Sequence, residues 1–448
     1  MRGADAGRLS RTMVRGRQRP LLPSADPFWA APAELEALAP GALIRSRPVE
    51  LALFGMVRQR VRAWQLACRS SDLHGRPEVA VTTVVLPAGA PEPDRPLLLF
   101  QSAIDAVTER CAPSYALRRD TKAFGSITRF EWLLIARALQ RGWAVGIADH
   151  GGRNGNFGAP REPGYRGLDG ARAALAFEPL GLRADTPIGV WGYSGGGMAG
   201  SWLVETAPVY APELRITGAV LGAPVGDPGS VLVRLDGSRY AGFPAMVIAA
   251  LRRLYPAVEE LIAANATPEG LAMLALAEQS PPLIALLRMS GMRLDDFLRR
   301  PLAELLTDPG LRTVLADLRL GGSAPACPLL VVQPVNDQVI HVESVDAQVA
   351  RYRAAGAHVT YLRDRLSDHF TMLPLATAPS LNWLADRLAG APLPAPSTRT
   401  VLSIGTVDAN WRGLFGVAGS ALAAAAGRPL GGRSRPDPVP PSPADRAA

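Results

Sequence analysis

Cysteine, lysine and histidine are scarce in this 448-residue chain, at three, one and five residues. The three cysteines (Cys68, Cys111, Cys327) are scattered and form no Cys-x-x-Cys, which excludes a disulfide scaffold and leaves at least one thiol free. So few histidines, with no H-E-x-x-H, predict no metal centre, and nothing in the chain calls for a cofactor. No apolar run reaches the length of a membrane span. The nearest, LFGVAGSALAAAAG (414–427), is short and Ala/Gly-rich, so no transmembrane segment is expected. The Arg-rich N-terminus lacks the apolar stretch of a signal peptide, and on sequence alone this reads as a cytoplasmic protein. What is abundant is apolar: 48% of residues are hydrophobic and 20% charged, which excludes a disordered chain.

The net charge of +8 invites a nucleic-acid reading, and its distribution removes it. Residues 1–20 carry +5 and residues 428–448 carry +2, leaving the long middle near neutral. Both ends are expected to be disordered: 1–26 is Arg-rich without periodicity, and 428–448 is a Pro-rich tail. No zinc-finger spacing or basic helix accompanies the arginines, so no nucleic-acid partner is expected.

Between the ends, buried apolar runs alternate with helical periodicity. Strands are expected at 79–86, 97–101, 143–148, 187–192, 216–222, 329–334 and 358–362. Helices are expected at 130–140, 168–177, 198–206, 344–354 and 379–388. This is an α/β pattern with a mostly parallel sheet covered on both faces. The alternation breaks between 229 and 320, a Leu/Ala/Met-rich block with helical spacing and no convincing strand. It is too long for a crossover and reads as a helical cap or lid inserted before a core strand. The core is then 27–228 plus 321–427.

Gly192-Tyr193-Ser194-Gly195-Gly196 fits G-x-S-x-G. The match is weak alone and strong in context, because Ser194 follows a strand and opens a helix. A turn that sharp admits only small neighbours, aims Oγ above the sheet, and leaves amide N–H groups free for an oxyanion. The same glycines also read as G-x-G-x-x-G (Gly195, Gly197, Gly200). A dinucleotide site would want an acid ending the next strand, and ITGAVLG ends in Gly222-Ala223-Pro224.

A serine nucleophile needs a histidine base and an orienting carboxylate, in the order Ser, Asp or Glu, His. His74 and His150 precede the serine, His358 opens a strand, and His341 sits in a loop that also holds Asp337. His369, in the polar turn RLSDHFTML, is the base expected. Asp337, just beyond the strand LLVVQP, is the acid expected; Asp368 is the rival by proximity, with Asp364, Asp346 and Asp227 weaker. For the second oxyanion donor, Asp105 in the loop SAIDAV is the candidate beside Gly195, by backbone or side chain. From position alone a plain turn role for Asp105 is favoured over it.

These stretches together resemble the secretory lipase family of fungi and actinomycetes, the Candida antarctica lipase A type. The resemblance rests on RSSDLHGRPEVAVTTVVLP (69–87), QSAIDA (101–106), CAPSYAL (111–117), GWAVGIADHGG (142–152), GYSGGGMAGSW (192–202), VNDQVIH (335–341) and the DHF turn (368–370). It implies an α/β-hydrolase fold with a helical cap, acting on acylglycerols or other carboxylic esters. It also implies Asp105 and Gly195 as the oxyanion pair. The family habit implies export, and so a start misassigned here. It also implies a disulfide from Cys111 to the cap, although residues 229–320 hold no cysteine. The expected partner is a small-molecule or lipid ester, with possible lipid-interface contact through the cap. Acyl transfer to an alcohol and a non-catalytic binding protein remain the alternatives.

Overall fold

The computed structural model describes residues 19–89, 94–325, 327–409 and 411–431. Ten strands form one sheet: β1 (Leu43–Pro48), β2 (Arg62–Ser71), β3 (Pro77–Leu86), β4 (Leu97–Gln101), β5 (Ala144–Ala148), β6 (Ile188–Tyr193), β7 (Ile216–Gly222), β8 (Leu329–Pro334), β9 (Val359–Asp364) and β10 (Ser397–Val401). Their order is β1-β2-β3-β5-β4-β6-β7-β8-β9-β10. The three pairings joining β1, β2, β3 and β5 are antiparallel, and every other pairing is parallel.

The central strands are buried on both faces, as their unbroken apolar runs require. Alternation survives inside those runs. Leu97 and Leu99 face one core, whereas Leu98 and Phe100 face the other. On the first face pack α2 (Glu162–Ala176), α3 (Gly195–Tyr210) and, after β8, α10 (Val342–Ala354). On the second pack α1 (Thr128–Gln140), α11 (His369–Leu388) and α12 (Trp411–Ala425). The helix after β4 and the helix after β6 thus leave for opposite faces. This opens a crevice beyond the carboxyl ends of two adjacent strands, where α/β sheets bind ligands.

Between β7 and β8 the chain builds a helical block. Its six longer helices are α4 (Pro228–Leu235), α5 (Gly242–Leu254), α6 (Pro256–Asn265), α7 (Pro268–Gln279), α8 (Pro282–Arg288) and α9 (Pro309–Asp317). Five of the six carry proline in the first two helical positions, where the missing N–H costs nothing, and α5 lacks one there. Asp227, Thr267 and Asp308 cap three of the helices through side-chain oxygens. The block's inner residues, Met246, Ala249 and Ala285 among them, merge with the first-face core. No helix among the described residues is long and apolar enough to cross a membrane.

Several expectations need correction. Residues 1–18 and 432–448 lie outside the described residues, but 19–26 and 428–431 are tied to the body. Ser24 donates its backbone N–H to Glu109 (2.6 Å), and buried Asp26 pairs with Arg47 (2.6 Å). Leu430 is fully buried and accepts from Ala88 N–H at 2.6 Å. These partners lie far off in sequence, so no local pattern announces them. Strands β1, β2 and β10 were not expected; β1 and β10 sit at the sheet edges, where one side meets solvent and the apolar signal fades. The helix expected at 379–388 begins at His369, ten residues earlier than its periodicity suggests, because Pro374 and Pro379 lie inside it. Burial of Met372, Ala376, Leu381 and Leu384 against the sheet outweighs the lost hydrogen bonds.

Candidate active site

Strand β6 runs straight into Ser194, which holds φ 55° and ψ −122°, a conformation that side-chain-bearing residues rarely adopt. The strain is held by packing on every side. Ser194 N–H donates to Gly222 O (2.8 Å), and Ser194 O accepts from Met198 N–H (2.9 Å). The glycines are obligatory by distance. A Cβ on Gly192 would lie 2.1 Å from Gly196 O, one on Gly196 2.1 Å from Gln101 O, and one on Gly195 1.7 Å from Asp105 Oδ1. Gly195 and Gly197 therefore press against protein atoms, which accounts for the second glycine pattern without a nucleotide. As the first residue of α3, Gly195 has an N–H with no intrahelical acceptor.

The three residues picked out as nucleophile, base and acid come together. His369 Nε2 lies 3.0 Å from Ser194 Oγ, and His369 Nδ1 lies 2.8 Å from Asp337 Oδ2. Asp337 is buried and held from behind. Its Oδ1 accepts the N–H groups of Val339 (2.8 Å) and Ile340 (2.7 Å), which leaves Oδ2 facing the imidazole. The rival acids have other work. Asp368 forms a capping box with Thr371 at the start of α11. Asp364 accepts from Leu366, Ser367 and Ile404 N–H groups. Asp346 binds the Tyr361 hydroxyl, and Asp227 caps α4.

Of the other histidines, His150 is buried, contacts Ser102 O at 2.7 Å, and is pushed down to about 4 by burial, so it stays neutral. His74 lies in the tight turn between β2 and β3, where its N–H meets Asp72. His341 is the N-cap position of α10, and His358 precedes β9.

Asp105 is buried with a positive φ of 43°, and its Oδ1 finds no hydrogen-bond partner among the described residues. Burial first, and then the neighbouring Glu131, push its carboxyl up to about 8. Burial pushes Glu131 itself up to about 7, against the pull of Ala103 N–H (3.0 Å) and the Ser102 hydroxyl. Burial thus biases both carboxyls toward their neutral forms, Asp105 more than Glu131.

Sequence reasoning missed three groups that bear on the histidine. Gln338 Oε1 accepts His369 N–H (3.1 Å), and Arg234 of α4 donates to Asp337 O (3.1 Å). The Tyr193 hydroxyl donates to His369 O (2.7 Å). All three contacts join segments remote in sequence, so no spacing signals them.

A cavity opens beside Ser194. Asp105, Ser194 and Gly195 form one wall; Leu232, Phe243, Val247 and Leu315 of the helical block form much of the other. A second cavity is walled by apolar residues of the block, and Leu232 and Leu315 line both. No group of His, Cys, Asp and Glu among the described residues could hold a metal ion. The three cysteines are buried and free, so Cys111 makes no disulfide. A hydroxyl, an imidazole and a buried carboxylate in series, beside spare N–H groups and an apolar hollow, form an arrangement suited to acyl chemistry.

Comparison with known proteins agrees in kind. The secretory lipase family model matches residues 117–395. A Mycobacterium tuberculosis protein described as a "probable inactive lipase" is 48% identical over 395 residues, covering 88% of this chain and 89% of its own. Lipase A of Arthroderma benhamiae is 33% identical over 385 residues, covering 83% and 81%. The X-ray structure of Candida antarctica lipase A superposes with a TM-score of 0.81 over 94% of this chain and all of its own. At 24% identity that likeness speaks to the fold, an α/β-hydrolase.

Proposed function

The chain belongs to the secretory lipase family, and on that premise we propose that it is an active serine carboxylic-ester hydrolase. The observation that carries this reading is the unbroken relay from Ser194 through His369 to Asp337, at 3.0 and 2.8 Å, opening onto an apolar cavity. Ser194 Oγ attacks the ester carbonyl as His369 Nε2 takes its proton. Asp337 fixes the tautomer with the proton on Nδ1 and stabilises the imidazolium. The N–H groups of Gly195 and Asp105 hold the oxyanion, a contribution of about 10²–10³ in rate for one such donor. A neutral Asp105 carboxyl adds no negative charge where the oxyanion forms. His369 returns the proton to the departing alcohol, and water then releases the acid from Ser194.

The substrate side follows from the walls. An acyl chain can leave water for the hollow between the elbow and α4, α5 and α9, where the lining is apolar. The helical block thus acts as a cap that supplies the acyl site. One observation favours a second reading, a hydrolase-fold binding protein: the 48% identical relative is described as a probable inactive lipase. Labelling with a serine-directed fluorophosphonate separates the two. An adduct on Ser194, absent in Ser194→Ala, together with turnover of p-nitrophenyl esters, is expected. The substitution should cost on the order of 10⁶-fold in kcat. Folded protein that forms no adduct would favour the binding protein.

A further inference from the structure

The residue before the nucleophile carries a contact that the reaction scheme does not use. Tyr193 ends β6 on the same face as Trp191, beneath the first turn of α11. It is buried, and its hydroxyl donates to the backbone oxygen of His369 at 2.7 Å. Its ring stands 5.4 Å from the His369 ring, centroid to centroid. The ring also occupies the space over Gly222, where an added Cβ would come within 2.3 Å of it. Gly222 is in turn the acceptor for Ser194 N–H at 2.8 Å. One side chain therefore braces the turn that carries the base, the strand end that holds the nucleophile, and the nucleophile's own neighbour.

We propose that Tyr193 is a positioning residue that sets the separation between His369 Nε2 and Ser194 Oγ through its hydroxyl. This rests on the reading that those two atoms exchange the proton. The need for such a brace is geometric. His369 sits on the first residue of a helix, 175 residues from the serine, and its ring can swing with that turn. Asp337 fixes the ring by Nδ1 and Gln338 holds the backbone N–H, but both lie on the loop after β8. Tyr193 is the one of these holds that starts from the nucleophile's own strand, so it ties the base to the serine itself. The phenol is fit for this. Burial, with Asp337, Asp368 and Asp364 nearby, holds it well above its ordinary range, and it remains a neutral donor wherever the enzyme works.

The test is Tyr193→Phe, which removes the hydroxyl and keeps the ring. Active-site titration with a fluorophosphonate counts competent sites in both proteins, and steady-state rates on a soluble ester are expressed per titrated site. The expected result is a fall in kcat of about 10- to 100-fold per site with KM little changed, because misplacement of reacting groups slows chemistry and not binding. The labelling rate should slow in parallel. A purely structural role would lower the number of competent sites and the melting temperature but leave kcat per site intact, and that outcome overturns the proposal. Should the wild-type protein neither label nor turn over, the reading of the site fails first and the proposal with it. A reactive wild type with an unimpaired variant sinks the proposal alone.

Discussion

The carboxyl end of the sheet and the helical block above it are built on opposite plans. At the sheet, positions are fixed by close contacts on several sides. Glycines meet backbone oxygens, Ser194 is held in a strained conformation, and Asp337 is bonded on both carboxylate oxygens. In the block, helices with apolar inner faces leave one hollow against the Ser194 turn and another among themselves. Precision serves the reacting atoms, whose rates depend steeply on distance. On the proposed function, volume would serve an acyl chain, which needs only a dry apolar space. The contrast implies that substitutions in the first region should change the rate for every ester alike, and those in the second should change which esters are accepted.

Asp337→Asn is the sharpest test of the first half. It keeps the shape but favours the wrong imidazole tautomer, and kcat should fall by about 10⁴ for short and long acyl chains equally. A loss confined to long chains would break the comparison. Leu315→Trp tests the second half, since Leu315 borders both cavities. Filling that junction should lower kcat/KM for long-chain p-nitrophenyl esters by about 10- to 100-fold while leaving the acetate nearly unaffected. A uniform loss would place Leu315 with the chemistry instead.

A further effect concerns stability, at the border between the regions. Asp105 is raised from 3.8 to about 8, so the folded state binds its proton more tightly than the unfolded chain does. Its contribution to stability is fully present below about pH 4 and is lost as pH rises through about 8. Asp105→Asn removes that dependence. The difference in unfolding free energy between variant and wild type should therefore grow in the variant's favour from pH 4 to pH 8. Urea midpoints measured across that range would show it, and parallel profiles would mean that the Asp105 carboxyl is not perturbed.

Much of the first region was legible before any fold was known, and little of the second. The strand–Ser–helix pattern around Ser194 is local chemistry, because a turn so tight needs glycine wherever a Cβ would strike a neighbouring oxygen. His369 stood out by elimination among five histidines. Asp105 is a candidate by its loop position, but SAIDAV alone favours a turn residue, and the family resemblance is what raises it. The helical block announced its helices but not its hollows. The same leucines at helical spacing fill a core or line a cavity, depending on how the helices are set apart.

The sequence by itself determined the alternation of the central strands, the place of the inserted block and the strand–Ser194–helix turn, because hydrophobic period and turn chemistry act over a few residues. Only the tertiary structure decided that Asp337, and not Asp368, meets the imidazole. Asp368 is next to His369 in the chain, but its carboxyl turns back to cap the helix that His369 begins. Only the fold, too, brings a tyrosine hydroxyl to a histidine carbonyl across 176 residues. Contacts of that kind depend on which strand ends and loops converge at the sheet's carboxyl edge, and no local pattern encodes that convergence.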